Sequence, residues 1–224
     1  GNNNTAVGYN TFSLNTTGSD NTAVGVQALV NNTFGNSNTA LGKDALLSNT
    51  TASNNTAVGY QAAYSSTTIN NITAVGAFAL KLSTAGSNDA FGYSALSSNT
   101  TGINNVAVGY NALAASTIGI RNTAVGTSAL QLSTTGNYNT AVGYAALNAN
   151  TTGAENTAVG SSALVANTVG NDNTAVGYRA MDANTTGGVN DAFGVDALGS
   201  NTTGTSNSAF GAGALGNSTT ANNN

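Results

Sequence analysis

The side chains that could do acid–base or metal chemistry are few and scattered in this chain. There is no His and no Cys, so the commonest general base, the commonest metal ligand and the thiol nucleophile are missing. Asp172 and Asp182 lie in successive repeats, and Asp89 and Asp191 each precede an Ala-Phe-Gly triplet. A calcium-binding roll would need Asp-rich glycine turns, and these turns carry Asn. We therefore expect no enzyme activity, no catalytic residue, no metal site and no cofactor.

A five-residue pattern, Asn-Thr-Ala-Val-Gly at residues 21–25, recurs along the chain. Its closing glycines are Gly8, Gly25, Gly42, Gly59, Gly76, Gly92, Gly109, Gly126, Gly143, Gly160, Gly177, Gly194 and Gly211. Neighbouring copies lie 17 residues apart, except that one residue is missing between Gly86 and Asp89. A short fixed period over a whole chain is typical of a solenoid. The sequence predicts a single repeat domain over residues 1–224, anchored at Gly8 to Gly211, with a short polar tail at 222–224.

Each repeat has the same order of side chains when the motif glycine is numbered zero. Position −4 is Asn except at Ile72, −3 is mostly Thr, −2 is Ala, and −1 is Val, Leu or Phe; +3 is mostly Ala, +4 mostly Leu, +7 Asn or Ser, and +8 Thr. The many Gly, Thr and Val residues, without a 3.6-residue apolar period, disfavour helix. We predict an all-β parallel β-solenoid of about thirteen 17-residue coils, which stack about 4.8 Å apart.

Two short strands per coil are predicted: Thr-Ala-Val, and the segment around Ala-Leu. The stretch Asn-Thr-Thr-Gly is predicted to return the chain to the next coil. Asn stacked above Asn can pass amide hydrogen bonds along the axis, and Asn and Gly tolerate tight corners. The Asn, Thr and Gly columns are therefore interpreted as structural.

The Thr-Ala-Val strand is apolar on both faces, because Ala and Val point to opposite sides. A strand of this kind is buried on both faces. One face can be the core of the coil and the other a partner chain, and small Ala suits a crowded contact near a symmetry axis. The predicted core and interface residues are Ala23, Val24, Leu29, Ala57, Val58, Ala141, Val142, Leu147, Ala175 and Val176.

A tyrosine column at position +1 is the candidate contact surface. It includes Tyr60, Tyr93, Tyr110, Tyr144 and Tyr178. Tyr is commonly half-buried with a wet hydroxyl and is enriched at binding surfaces. Structural packing is the favoured role of this column, and surface contact is the alternative. The coil with the missing residue and its neighbour, where Ile69 replaces the corner glycine, are candidates for a local kink or patch.

Composition limits the possible partners. Four basic and eight acidic residues give a net charge of −4, which argues against binding nucleic acid. No apolar run approaches the roughly 18 residues that a membrane span requires, so we expect no membrane insertion of this segment. Charged residues make up only 5% of the chain, so the surface is expected to be neutral and polar.

The unit Asn-Thr-Ala-Val-Gly-Tyr-x-Ala-Leu resembles the head repeats of YadA-like trimeric autotransporter adhesins, and similar repeats occur in phage and virus tail fibres. The resemblance covers nearly the whole chain and implies a trimeric parallel β-roll, displayed outside the cell or virion and used for attachment. A 17-residue coil is also close to the three-sided coil of single-chain left-handed β-helices. In that alternative, Phe34, Ile118 and Val169 at position +9 would form a third inward column.

The leading hypothesis is an extracellular structural and adhesive fibre segment that self-associates as a homotrimer and contacts a glycan or cell-surface receptor. One alternative is a filament subunit that pairs end to end through exposed strand edges and binds no receptor. Another is an ice- or crystal-binding solenoid, based on the unbroken Thr column at +8. Triplets such as Asn15-Thr16-Thr17 and Asn150-Thr151-Thr152 are formal glycosylation acceptors.

Overall fold

The computed structural model describes residues 1–224 and contains thirteen three-residue strands and no helix. The strands are β1 (Thr5–Val7), β2 (Thr22–Val24), β3 (Thr39–Leu41), β4 (Thr56–Val58), β5 (Thr73–Val75), β6 (Asp89–Phe91), β7 (Val106–Val108), β8 (Thr123–Val125), β9 (Thr140–Val142), β10 (Thr157–Val159), β11 (Thr174–Val176), β12 (Asp191–Phe193) and β13 (Ser208–Phe210). Each strand covers positions −3 to −1 of one repeat, which read Thr-Ala-Val in most coils. The predicted position of this strand is therefore confirmed.

All thirteen strands form one parallel sheet in which each strand pairs with the next along the chain. Equivalent positions face each other: Ala141 of β9 pairs with Ala158 of β10. The missing residue leaves this register intact, since Thr73 of β5 still pairs with Asp89 of β6. A sheet built from one strand per turn, in sequence order, is a parallel β-solenoid. The predicted fold class is confirmed, with about 17 residues in each turn.

Each strand ends at a glycine whose conformation other residues rarely adopt. At Gly143 the angle φ is +135°, and an added Cβ would lie 2.5 Å from the carbonyl oxygen of Gly160 in the next coil. Equivalent glycines come so close that only a residue without a side chain fits between stacked coils. The glycine column is therefore required by the stacking distance as well as by the backbone angle.

The segment around Ala-Leu is a turn, and the prediction of a second strand there was wrong. Ala145 and Leu147 have φ angles of +53° and +50°, which are incompatible with an extended strand. Their N–H groups point in opposite directions along the axis: that of Ala145 donates to Thr127 in the preceding coil and that of Leu147 to Ala163 in the following one. These bonds between coils compensate for an unfavourable backbone conformation.

The apolar core consists of three inward columns, at positions −2, +3 and +4. Thirty-five residues form one continuous cluster, made almost entirely of Ala and Leu. Of the predicted core residues, Ala23, Leu29, Ala57, Ala141, Leu147 and Ala175 are fully buried. The Ala of the strand therefore faces the interior of its own coil. It is not available for the crowded contact between chains that its small size suggested.

Buried asparagines at position −4 form the first of two polar ladders. The Nδ2 group of Asn156 donates to Oδ1 of Asn139 at 3.1 Å and to the carbonyl oxygen of Gly170 at 2.9 Å. The same Oδ1 accepts the backbone N–H of Asn156 at 3.0 Å. The predicted Asn ladder is confirmed, and Ile72 interrupts it. The residues assigned to a tail continue it, because Asn224 donates to Oδ1 of Asn207 from both its backbone and its side chain.

The second ladder is at position +7, where Asn and Ser alternate in blocks. Asn167 donates to Oδ1 of Asn150 at 3.0 Å and to the carbonyl oxygen of Gly170 at 3.0 Å. Where Ser stands in the next coil, the ladder stops: Oδ1 of Asn99 and the hydroxyls of Ser116 and Ser133 are buried without a hydrogen-bond partner. Ser116 and Ser133 are therefore weak points of the interior, whereas the hydroxyls of Ser66 and Ser83 donate to backbone carbonyl oxygens.

The +8 and +9 columns follow the second ladder on the return segment. Thr151 at +8 donates its hydroxyl to the carbonyl oxygen of Thr168 in the next coil at 3.0 Å, so this column ties coils together. At +9, Phe34, Ile118 and Val169 are 55%, 51% and 44% exposed. The expectation that they form a third inward column was wrong, because the amide ladders and the +10 glycines already fill this part of the interior.

Candidate functional site

The most continuous apolar feature of the surface is the outward column at position −1, which we call the valine column. Its members are Val7, Val24, Leu41, Val58, Val75, Phe91, Val108, Val125, Val142, Val159, Val176, Phe193 and Phe210. None is buried: Val142 and Val159 are each 36% exposed, and Leu41 is 47% exposed. Parallel pairing brings each member beside its equivalent in the next coil. The column is therefore a single apolar row on the outer face of the sheet.

The predicted residues Val24, Val58, Val142 and Val176 all lie on this outer face. Since neighbouring residues of a strand point to opposite sides, burial of Ala inside the coil forces Val outward. The sheet is consequently apolar on both faces, as the sequence indicated, but only its inner face is covered by the chain itself.

The tyrosine column lies past the bend at the motif glycine and is also outward. Tyr60, Tyr93, Tyr110, Tyr144 and Tyr178 are all exposed side chains. Tyr93 and Tyr110 occupy successive coils, and their rings stack with centroids 5.3 Å apart and planes 11° apart. Most other tyrosines of the column are separated by a coil with a small residue or valine at +1, so they stand alone.

Phe78 extends this stack although it sits at position +2. Its ring meets Tyr93 edge-on at 5.7 Å and Tyr60 edge-on at 5.2 Å. The ammonium group of Lys81 lies 5.1 Å from the centroid of the Phe78 ring, and that of Lys43 lies 5.9 Å from Tyr60. Sequence reasoning missed Phe78 and Lys81. The available signal was the exchange of side chains in this coil, where Ala77 takes the place of the tyrosine and the aromatic residue moves one position along.

The acidic residues do not form a reactive cluster. Asp182 accepts a hydrogen bond from Nε of Arg179 at 2.7 Å, and Asp196 lies 3.6 Å from the same nitrogen. These carboxylates raise the pKa of Arg179, first through the hydrogen bond from Asp182 and then through charge. No group of three or more His, Cys, Asp or Glu residues is placed to hold a metal ion. Asp182 is thus an ion-pair partner of Arg179.

The formal glycosylation triplets in the +7 column carry their asparagine on the inside. Asn150 is fully buried, and its Nδ2 group donates to the carbonyl oxygen of Gly153 at 2.9 Å. A glycan attached to this nitrogen would have to replace both the core packing and the ladder. The recurrence of Asn-Thr-Thr therefore follows from the ladder at Asn and the hydroxyl bond at Thr.

Comparison with known proteins adds no identification. No family model matches the chain, and neither a curated protein nor a solved structure is similar to it at a significant level. The structure contains no helix that is long and apolar enough to cross a membrane. The candidate functional features of the structure are the valine column and the aromatic cluster, which consists of Tyr60, Phe78, Tyr93 and Tyr110.

Proposed function

We propose that this chain is a rigid structural segment of an extracellular fibre, on a cell or virion surface, whose subunits associate side by side and which serves attachment. The valine column carries the proposal. It is an apolar row that faces outward in every coil, on a chain whose inward columns are already filled by Ala, Leu and Asn. Contiguous exposed apolar surface on a soluble protein is characteristic of an interaction site.

The period of the valine column favours a second copy of this chain as its occupant. A partner with the same coil spacing, about 4.8 Å, can repeat one contact in every coil, whereas a globular partner matches only locally. With 5% charged residues, two copies also repel each other little. The resemblance to trimeric adhesin heads suggests three chains with their valine columns turned towards a common axis.

Light scattering after gel filtration tests the association. We expect a mass near three times 21.9 kDa, and we expect the double variant Val142→Lys, Val159→Lys to shift it towards the monomer. The control is Thr152→Lys, Val169→Lys, which adds the same charges to the same two coils at outward +9 positions. A wild-type chain that is monomeric at every concentration would refute the association, and so would equal effects of the two variants.

Attachment is assigned to the remaining outward surface, which is neutral, polar and rich in Asn, Thr and Tyr. Tyr side chains present a large apolar area together with a hydrogen-bonding hydroxyl, a combination enriched at binding surfaces. Binding of the labelled oligomer to cells and to immobilised glycans tests this part of the proposal. An oligomer that binds no surface would leave a purely structural fibre.

A further inference from the structure

Two adjoining cavities lie on the turn segment, off the sheet that carries the valine column. Their volumes are about 340 and 280 Å³, and they share Ser94, Ser97 and Ser98. Lys81 and Leu82 line the first at one end, and the second reaches Leu132 three coils further on. Together they form one depression that runs along the fibre axis, which we call the serine depression.

The depression arises from side-chain size at positions +5 and +6. Successive coils carry Lys81-Leu82, Ser97-Ser98, Ala114-Ala115 and Gln131-Leu132 at these positions. Two coils with small side chains are thus enclosed between two coils with large ones. With coils about 4.8 Å apart, the floor is roughly 10 Å long.

One side of the depression is bordered by the aromatic cluster. Phe78 lines the depression itself, and the stacked rings of Tyr93 and Tyr110 directly precede Ser94 and Asn111, which also line it. Tyr93 and Tyr110 are 46% and 52% exposed. Because their rings stack on each other and Tyr93 also meets Phe78, the ring face open to a ligand is that of Tyr110 turned away from Tyr93. In no other pair of successive coils does the +1 column carry two tyrosines. The stacked rings and the small floor therefore coincide at one place in an otherwise uniform rod.

The lining supplies hydroxyl and amide groups beside the half-buried Phe78 and the exposed rings of Tyr93 and Tyr110. Ser94, Ser97 and Ser98 supply hydroxyls, Asn111 and Gln131 supply amides, and the second cavity contains no charged side chain. A pyranose ring has the complementary chemistry, with an apolar C–H face that stacks on an aromatic ring and a rim of hydroxyls that hydrogen-bond to such groups. A nucleic acid would stack equally well, but a net charge of −4 disfavours phosphate.

We propose that the serine depression binds a glycan, with a pyranose ring stacked on the outer face of Tyr110, which Tyr93 supports from the other side, and with the hydroxyls of the glycan bonded by Ser97, Ser98 and Asn111. The proposal rests on the attachment role proposed above and gives it a place and a ligand class. The ammonium group of Lys81 stands at the Phe78 end of the depression, where it can donate to a hydroxyl or a carboxylate of the next sugar.

The test is a glycan array probed with the full chain, followed by calorimetric titration of the strongest hit. The variant Ser98→Leu, Ala115→Leu fills the floor with the residue that stands at position +6 as Leu82 and Leu132, so it is compatible with the fold. We expect this variant, and Tyr93→Ala, Tyr110→Ala, to weaken binding by roughly tenfold or more, as truncation of central aromatic contacts does.

The matched control is Tyr144→Ala, Tyr178→Ala, which removes two tyrosines of the same column that do not stack. We expect it to bind as the wild type does. The proposal is overturned if no glycan binds or if the variant Ser98→Leu, Ala115→Leu binds with wild-type affinity. It is also overturned if the control loses as much glycan affinity as the variant Tyr93→Ala, Tyr110→Ala. Light scattering of the same samples separates the two proposals. An oligomer that binds no glycan refutes only the glycan site in the serine depression, and a monomer that binds glycan refutes only the association of chains.

Discussion

The substitution Asn139→Ala tests whether the asparagine ladder holds the coils together. Asn139 is fully buried, and its Nδ2 group donates to the carbonyl oxygen of Gly153 at 2.8 Å. Its Oδ1 accepts the backbone N–H of Asn156 at 3.0 Å and the Nδ2 group of Asn156 at 3.1 Å. The Nδ2 group also donates to Oδ1 of Asn122 at 3.3 Å, so the amide of one residue serves four groups in the preceding coil, its own coil and the next.

The loss of unfolding free energy in Asn139→Ala depends on which of these groups keep a hydrogen-bond partner. The carbonyl oxygen of Gly153 retains the amide of Asn150 at 2.9 Å, and Nδ2 of Asn156 retains the carbonyl oxygen of Gly170 at 2.9 Å. The backbone N–H of Asn156 has no replacement acceptor. One buried unsatisfied donor costs about 1–3 kcal/mol of unfolding free energy, and the space left by the amide adds to that loss.

The substitution Asn139→Asp keeps the shape of the side chain and adds a dependence on pH. The carboxyl introduced at position 139 would face two acceptors, the carbonyl oxygen of Gly153 and Oδ1 of Asn122, which now receive the Asn139 amide. Burial and these oxygens raise the pKa of that carboxyl in the folded state. The variant is therefore most stable below the unfolded pKa of about 3.9 and loses stability as pH rises through the folded value.

Urea unfolding, followed by circular dichroism at pH 4 and pH 7, measures the stability loss of Asn139→Ala and the pH dependence of Asn139→Asp. Amide hydrogen exchange of Asn156 reports whether its backbone N–H has lost its acceptor. The control is Thr152→Ala, since the exposed Thr152 side chain makes no hydrogen bond, and such changes usually stay within about 0.5 kcal/mol. The reasoning fails if Asn139→Ala unfolds like the control with the Asn156 amide equally protected. It also fails if the aspartate variant is no less stable at pH 7 than at pH 4.

Two further predictions concern the interior. Ser116→Asn combined with Ser133→Asn should close a gap in the second ladder and raise the free energy of unfolding, by about 1–3 kcal/mol for each buried group that gains a partner; an unchanged urea midpoint would contradict this. Gly143→Ala should lower the midpoint clearly more than Gly211→Ala, because its Cβ would meet the Gly160 oxygen at 2.5 Å, whereas Gly211 has a similar φ of +121° but open space. Equal losses would mean that backbone strain alone sets the cost.

The period of the sequence was enough to predict the solenoid. With Asn, Ala and Leu recurring in a fixed phase, parallel stacking in register lets every coil present the same side chains to the next. This is why the Thr-Ala-Val strand and the ladder from Asn139 to Asn156 were predictable. The one-residue deletion between Gly86 and Asp89 did not disturb the stacking, because the sheet register is set by the strands on either side of the deletion.

The surface could be read from the sequence only in part. The aromatic column at Tyr93 and Tyr110 was visible as a pattern, but the serine depression depends on which side chains of four different coils come together. Phe78 and Lys81 carry no repeat signal, since the residue at positions +2 and +5 varies from coil to coil. Their position beside Ser94 and Ser97 is a property of the folded rod.

The sequence by itself determined the strand, the period and the stacking of like residues, because these depend on the regular recurrence of side chains along the chain. It did not determine which side of the strand is the inside. Alternation places Ala141 and Val142 on opposite faces, and either face could be the core. The tertiary structure decided which face is the core. Leu147, in a left-handed backbone conformation, and two rows of mostly asparagine side chains fill most of the interior of the coil. The space that remains inside the strand is large enough for alanine. Valine is therefore turned outward, where only another molecule can cover it.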